Sequence, residues 1–159
     1  MDVSLPGENG IEVLNRLLKE NKSYKVLILT MYADPHFGLK ILQEGACGYL
    51  TKESDPDIII EAIKTIFDKK KVIPSSISEL LLDLTDPQRK MPLHEQLSVR
   101  ELEVLILISE GKTITEIAGE LHISVKTVST YRGRILTKLK VSNKADIVRY
   151  AIRCGLAIV

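Results

Sequence analysis

Lys126, Thr130, Gly133 and Thr137 recur at intervals of four, three and four residues, with Ser129 and Arg134 at the edges of the same face. On a helix turning about 100° per residue these side chains share one side. A face of small hydroxyl residues and glycine, flanked by cations, suits the DNA major groove. Long side chains would hold the backbone away, whereas Ser, Thr and Gly let it approach base edges. Ser129, Thr130 and Gly133 are placed toward the bases. Lys126 and Thr127, at the start of the helix, are placed on phosphates together with Arg134 and Lys138. Val128, Tyr131, Ile135 and Leu139 form the opposite, apolar stripe of an amphipathic helix. Arg132 falls near the buried edge of this wheel. Ser124 is a good N-cap, because its hydroxyl can accept a free N–H of the first turn. By itself such a helix is more often an ordinary surface helix.

The segment that precedes it favours the DNA reading. Residues 113–121 read as a short helix, with Thr113 and Glu116 at capping-box spacing. Ile117 and Leu121 share a face, and Ala118 is small where two crossing helices need close approach. His122 and Ile123 then make a tight connection into Ser124. A short helix, a turn and a longer basic helix form a helix-turn-helix. Upstream, Ser98 and Glu101 have capping-box spacing. Leu102, Leu105 and Ile108 follow as a helical stripe that ends at Gly111, a plausible C-cap. Residues 143–154 read as a fourth helix, with Ile147, Tyr150, Ala151 and Cys154 on one face. Some of that face must pack inward, and the remainder is a candidate two-fold contact.

The run LSVRELEVLILISEGKTITEIAGELHISVKTVSTYRGRILTKLKVSNKADIVRYAIRCGL closely resembles the LuxR/NarL-type DNA-binding domain. The matching pieces are LSxRELEVL, the Gly111 turn, EIAxxL, the ISVKTVSTY junction, Lys138-Leu139 and ADIVRYAIRCGL. The resemblance covers residues 97–156. It implies an all-α four-helix domain whose second and third helices form the helix-turn-helix, with the fourth commonly a dimer contact.

The chain of 159 residues has room for one ordinary domain or two small ones. Its residues are 45% apolar but only 4% aromatic, so any core must be aliphatic. No apolar run approaches the roughly 20 residues that cross a bilayer, and no secretory signal is visible. A cytoplasmic protein without a membrane partner is expected. Cys47 and Cys154 are isolated thiols without CxxC spacing. His36, His94 and His122 are scattered, so no metal site is expected. The net charge of +1 hides a split. Residues 97–159 hold ten Lys/Arg and six Asp/Glu, whereas residues 1–96 hold twelve and fifteen. Basic charge gathered around one helix is the footprint of a phosphate-backbone partner.

The first half alternates helix and strand. Ile11, Leu14, Leu17 and Leu18 give a helical stripe. Residues 25–32, KVLILTMY, form an apolar run suited to a strand buried in a parallel sheet. Residues 34–44 are helical and close at Gly45. Residues 47–51 form a short strand, and Pro56 opens a helix to about Phe67 with Ile59, Ala62, Ile63 and Ile66 inward. Alternation of this kind means βαβ units.

DVSLPGENGIEVL, the ILT that ends at Thr30, and Gly48-Tyr-Leu-Thr-Lys52 resemble the receiver domain of bacterial response regulators. The resemblance implies that Asp2 accepts a phosphoryl group from a sensor histidine kinase. It makes Thr30 and Tyr49 switch residues and Lys52 a phosphate contact. A carboxylate nucleophile with a lysine to offset charge is sensible chemistry for an acyl phosphate. It also implies about two strands and two helices before the acceptor aspartate, with an acidic pair that holds Mg²⁺. Here Asp2 is preceded by one residue. The expectation is therefore the second half of a receiver: helix, strand, helix, strand, helix, with a parallel-sheet remnant and an incomplete Mg²⁺ site, so that no cofactor is assigned. Either the chain is truncated or another chain supplies the rest. Two strands make a poor sheet alone, and Asp2 is expected to be poorly ordered unless something ties it down.

Residues 72–96 read as a connector. Ser76 and Glu79 have capping-box spacing, Ile77, Leu80, Leu81 and Leu84 suit a short linker helix, and residues 86–92 are polar and proline-punctuated. The expected architecture is an α/β partial receiver over 1–71, a linker over 72–96 and a LuxR-type helix-turn-helix domain over 97–159. The expected function is sequence-specific binding of double-stranded DNA, as a homodimer, in a two-component phosphorelay. The alternative is an interaction module in which the receiver remnant binds partners and DNA binding is vestigial. No nucleophile–base pair, phosphate-cradling glycine loop or metal cluster is visible, which argues against an enzyme.

Overall fold

The computed structural model describes residues 1–5, 8–68, 70–83 and 92–156. The chain divides into two compact units, Met1–Arg89 and Lys90–Val159.

In the first unit, β1 (Ser4–Leu5) pairs antiparallel with β2 (Glu8–Asn9). Helix α1 (Gly10–Glu20) follows directly and buries Ile11 and Leu14. Strands β3 (Leu27–Thr30) and β4 (Gly48–Thr51) pair in parallel, Leu27 beside Gly48 and Thr30 beside Thr51. β3 is shorter than the apolar run 25–32, because pairing stops at Thr30. Single bridges widen this sheet on both sides, Asp2 beside Leu29 and Val72 beside Gly48. Between the strands, α2 (Pro35–Gln43) starts at an Asp34 cap whose carboxylate accepts Phe37 N–H at 3.0 Å. Pro at the first helical position suits such a start.

Helix α3 (Pro56–Phe67) packs against β4 through Ala62 and Ile66, with Ile59 half-buried. The expectation for Ile63 is corrected: it is 56% exposed, beside exposed Ile60 and Phe67. The helix meets the sheet at β4, and that seam takes residues 59, 62 and 66, leaving Ile63 off its edge. Helix α4 (Ser75–Asp83) lies in the stretch expected to be a linker, but it packs on α2 and buries Ile77 completely. It starts one residue before the expected cap. Pro74 O accepts the N–H groups of Ile77 and Ser78, which places Ser76 inside the helix. The side chain of Leu81 and all of Leu84, with linker residues 84–91, lie outside the described residues.

In the second unit a 3₁₀ turn (Leu93–Gln96) leads into α5 (Val99–Ser109), α6 (Ile114–Glu120), α7 (Val125–Leu139) and α8 (Lys144–Arg153). Helices α6, α7 and α8 all pack against α5, whose Leu102, Leu105 and Ile108 are buried. Both expected capping boxes form. Ser98 and Glu101 exchange backbone and side-chain bonds at the start of α5, and Thr113 and Glu116 do so at the start of α6. Ile117, Leu121, Val128, Ile135, Leu139, Ile147 and Ala151 complete the aliphatic core. The α8 stripe is used inward: Ile147, Tyr150 and Ala151 are buried and Cys154 is half-buried, leaving Ile152 as its exposed apolar residue.

Candidate nucleic-acid interface

Helix α7 is positioned by a short chain of local devices. Thr113 starts α6, and α6 ends in a Schellman motif, with His122 N–H on Gly119 O at 3.3 Å and Ile123 N–H on Ala118 O at 3.0 Å. His122 takes φ 53°, the left-handed conformation that turns the chain, and the sequence gives no glycine there to announce it. Two residues later Ser124 caps α7. Its Oγ accepts Thr127 N–H at 3.0 Å and lies 2.8 Å from the Thr127 hydroxyl.

The face away from the core presents Lys126, Ser129, Thr130, Gly133, Arg134 and Thr137, all exposed. Beyond its chain neighbours and the backbone of its own helix turn, nothing lies within 4 Å of where a Cβ on Gly133 would stand, so the backbone is open there. Thr130 and Thr137 turn their hydroxyls back onto Lys126 O and Gly133 O, at 3.0 and 3.1 Å. Their methyls and remaining oxygen lone pairs are left for a partner. Lys126, Thr127, Thr130, Tyr131 and Arg134 line a shallow depression of about 290 Å³. The Arg134 guanidinium stands 6.0 Å from the centre of the half-buried Tyr131 ring, which holds the cation at the rim.

Two expectations about this helix change. Arg132 is exposed rather than at a buried edge, because the core stripe is narrowed to Val128, Ile135 and Leu139. Lys138, expected on a phosphate, is engaged internally: its Nζ donates to Glu101 Oε2 at 2.6 Å and to Gln96 O at 3.1 Å.

A second cluster forms at the carboxyl end of the sheet in the first unit. Leu29 N–H donates to Met1 O at 2.8 Å, so β3 supplies a tie for the residues around Asp2. The Asp2 carboxylate pairs with Lys52 Nζ at 2.5 Å. Lys52 N–H also donates to Thr30 O at 2.7 Å. Thr30 is buried, and its hydroxyl accepts Tyr32 N–H at 3.2 Å. Tyr49 is buried and donates its hydroxyl to Tyr32 O. Burial, with the Asp34 carboxylate nearby, pushes its phenol well above the usual range. Gly10 makes the close approach possible. A Cβ there would stand 2.2 Å from Asp2 O, where nothing but hydrogen fits.

Residues 95–151 match the family model described as bacterial regulatory proteins, luxR family, and residues 1–64 match the response regulator receiver domain. Over 157 residues the chain is 32% identical to the response regulator UvrY of Escherichia coli strain K12, covering 98% of this chain and 72% of UvrY. The chain belongs to the LuxR-type (NarL/FixJ) response regulators. It is likewise 32% identical over 157 residues to the response regulator GacA of Pseudomonas aeruginosa strain PAO1, covering 73% of GacA. Among solved structures it is similar to RcsB of Salmonella enterica serovar Typhimurium bound to promoter rprA, with a TM-score of 0.53 at 29% identity over 94% of this chain and 71% of that one.

In this response regulator the receiver-type residues Asp2, Thr30 and Lys52 meet at one sheet end, with Tyr49 buried two register pairs behind Thr30. A receiver's Mg²⁺ is a different matter. Among the described residues no three His, Cys, Asp or Glu side chains gather to hold a metal, and the Asp2 carboxylate is paired with a lysine. The described residues do not fit the ion. Sequence reading missed three positioning residues: Glu101 as the partner of Lys138, Gly10 as the contact with Asp2, and His122 as the turn residue. The LSxRE box did place Glu101 at its cap, but nothing local points 37 residues ahead to Lys138.

Proposed function

We propose that this response regulator binds double-stranded DNA sequence-specifically through α7, as a cytoplasmic homodimeric transcription regulator on two half-sites. The observation that carries the reading is the outer face of α7. Small exposed groups at Ser129, Thr130 and Gly133 stand between cations at Lys126 and Arg134, on a helix capped and turned as a helix-turn-helix requires. Thr130 and Gly133 face base edges, where the thymine methyl and base acceptors lie. Ser129 lies beside them. Lys126, Arg134 and the N–H groups near Thr127 take phosphates, which set register without reading sequence. RcsB, with its promoter-bound structure, supports the same assignment by kinship. Among the described residues no helix is long and apolar enough to cross a membrane. The test is selection from a random duplex pool followed by competition. Enrichment of one motif, bound far more tightly than unselected duplex, is the expected result. Binding that is equal for all sequences, or no binding at low salt, refutes the reading.

A further inference from the structure

We propose that Lys138 is a positioning residue for the reading helix, and that its charge serves inside the protein instead of on a phosphate. The inference rests on the reading of α7 above. Glu101 is its partner, and Glu101 already has a task. The same Oε2 that accepts Lys138 Nζ at 2.6 Å accepts Ser98 N–H at 2.8 Å, closing the cap of α5. The Glu101 side chain is 3% exposed. One buried oxygen therefore joins the first turn of α5 to the last turn of α7, and Gln96 O adds the 3₁₀ turn as a third anchor. Burial alone would raise the Glu101 carboxyl. Lys138 and Ser98 outweigh it and hold the group below its ordinary value.

The lysine cannot leave for a phosphate without abandoning a buried carboxylate, which costs far more than an exposed pair returns. The fully buried side chains of α7 are aliphatic, Val128, Ile135 and Leu139. Apolar burial is non-directional and tolerates rotation and yaw of a helix. A charge-assisted hydrogen bond does not. Thr130 lies eight residues from Lys138, about 12 Å along the axis at 1.5 Å per residue. A clamp at one end thus fixes the angle at which the base-facing residues enter the groove.

The test uses the full chain and two duplexes of equal length, one selected by the wild-type protein from a random pool and one unselected. Affinities are measured over a salt series for Lys138→Met, Glu101→Gln, their combination, Lys138→Arg and Lys126→Ala. Gln still accepts from Ser98 N–H, so Glu101→Gln removes the ion pair and keeps the cap. Lys138→Met and Glu101→Gln are each expected to lower the selected-to-unselected affinity ratio about tenfold, with the salt slope unchanged. The double variant should be no worse than either single one, and Lys138→Arg should restore most of the ratio. Lys126→Ala should instead flatten the slope by about 0.9. Removing the Glu101 charge favours DNA electrostatically, so loss of the selected duplex in Glu101→Gln has the opposite sign to a charge effect. A slope flattened by about 0.9 in Lys138→Met, with Glu101→Gln binding the selected duplex as tightly as wild type, would overturn the proposal. Equal loss on both duplexes, unrestored by Lys138→Arg, also overturns it and leaves plain stability as the role. A wild-type chain that binds neither duplex refutes the DNA reading itself, and this inference falls with it.

Discussion

His122→Gly should stabilise the second unit. His122 sits at φ 53° at the end of α6, where its Cβ crowds the following carbonyl. For a residue with a side chain that conformation costs roughly 1–2 kcal/mol. Glycine removes this cost but adds freedom to the unfolded chain, a loss of about 0.5–1 kcal/mol. The difference leaves a net gain of about 0.5–1 kcal/mol. No buried contact is given up, because His122 is exposed. The two Schellman bonds, at 3.3 and 3.0 Å, are made by backbone and survive the change. In a unit of this size one kcal/mol moves the melting temperature by about 4–8 °C, so the expected rise is about 2–8 °C. The assay is thermal unfolding of the full chain followed by far-ultraviolet circular dichroism. Gly111→Ala is the opposite control. It sits at φ +90° with nothing within 4 Å of the new methyl, so conformational strain alone should lower stability by about 1 kcal/mol. Since α6 and α7 keep their relation and no Lys or Arg is removed, DNA affinity of His122→Gly should match wild type. Melting of His122→Gly at or below the wild-type temperature would refute the argument that the turn is strained.

Lys126→Ala should weaken selected and unselected duplexes equally, whereas Thr130→Ala should change the preferred sequence at a cost of about 1 kcal/mol at one base pair; both are read by competition binding. Gly10→Ala forces a methyl to within 2.2 Å of Asp2 O and should destabilise the first unit by about 1–3 kcal/mol, with early loss of hydrogen-exchange protection at Leu29 N–H. Glu101 is held below its ordinary value in the folded state, so its stabilising contribution is present above the unfolded carboxyl range and is lost as pH falls through the folded value. Acid unfolding of the second unit should therefore be less steep in Glu101→Gln, as followed by circular dichroism.

What was legible in the sequence was local. Ser98 with Glu101, Thr113 with Glu116 and the cap at Ser124 are three-residue relations, and all of them form. The aliphatic stripe of α5 follows from helical period and packs as read, and that of α7 does so through Val128, Ile135 and Leu139 while Tyr131 stays half-buried. Pairs that depend on tertiary approach were not legible from spacing. Lys138 and Glu101 are 37 residues apart, and Lys52 and Asp2 are 50 apart. For the second pair, resemblance to receivers names both residues, Asp2 as acceptor and Lys52 as a phosphate contact, but not their ion pair. Gly10 carries no local signal of its role, which is that its lack of a side chain admits the Asp2 backbone. Ile63 failed because a helix with isoleucine at 58, 59, 60, 63 and 66 has more apolar residues than one seam can cover.

The charge of the second unit overstates what DNA can use. Arg100 is paired with Glu103, Lys112 with Glu110 and Glu120, Lys138 with Glu101, and Arg149 with Asp146. Lys144 donates to the carbonyls of Gly111 and Lys112 at the end of α5. Lys126, Arg132, Arg134, Lys140 and Arg153 have no ion-pair partner among the described residues, and Arg153 lies over the Tyr150 ring on α8. On the proposed reading, the four of these on or beside α7, Lys126, Arg132, Arg134 and Lys140, set an upper bound on the side-chain phosphate contacts per chain. At about 0.9 per neutralised phosphate, the slope of log K against log salt should not exceed about 3.6 in magnitude for each bound chain. A homodimer on two half-sites should give about twice that. Titration of duplex DNA across a salt series, with stoichiometry from sedimentation, measures both numbers together. A slope near 7 with one chain bound would mean that the internal pairs open on DNA, and would refute the division between structural and phosphate-binding cations.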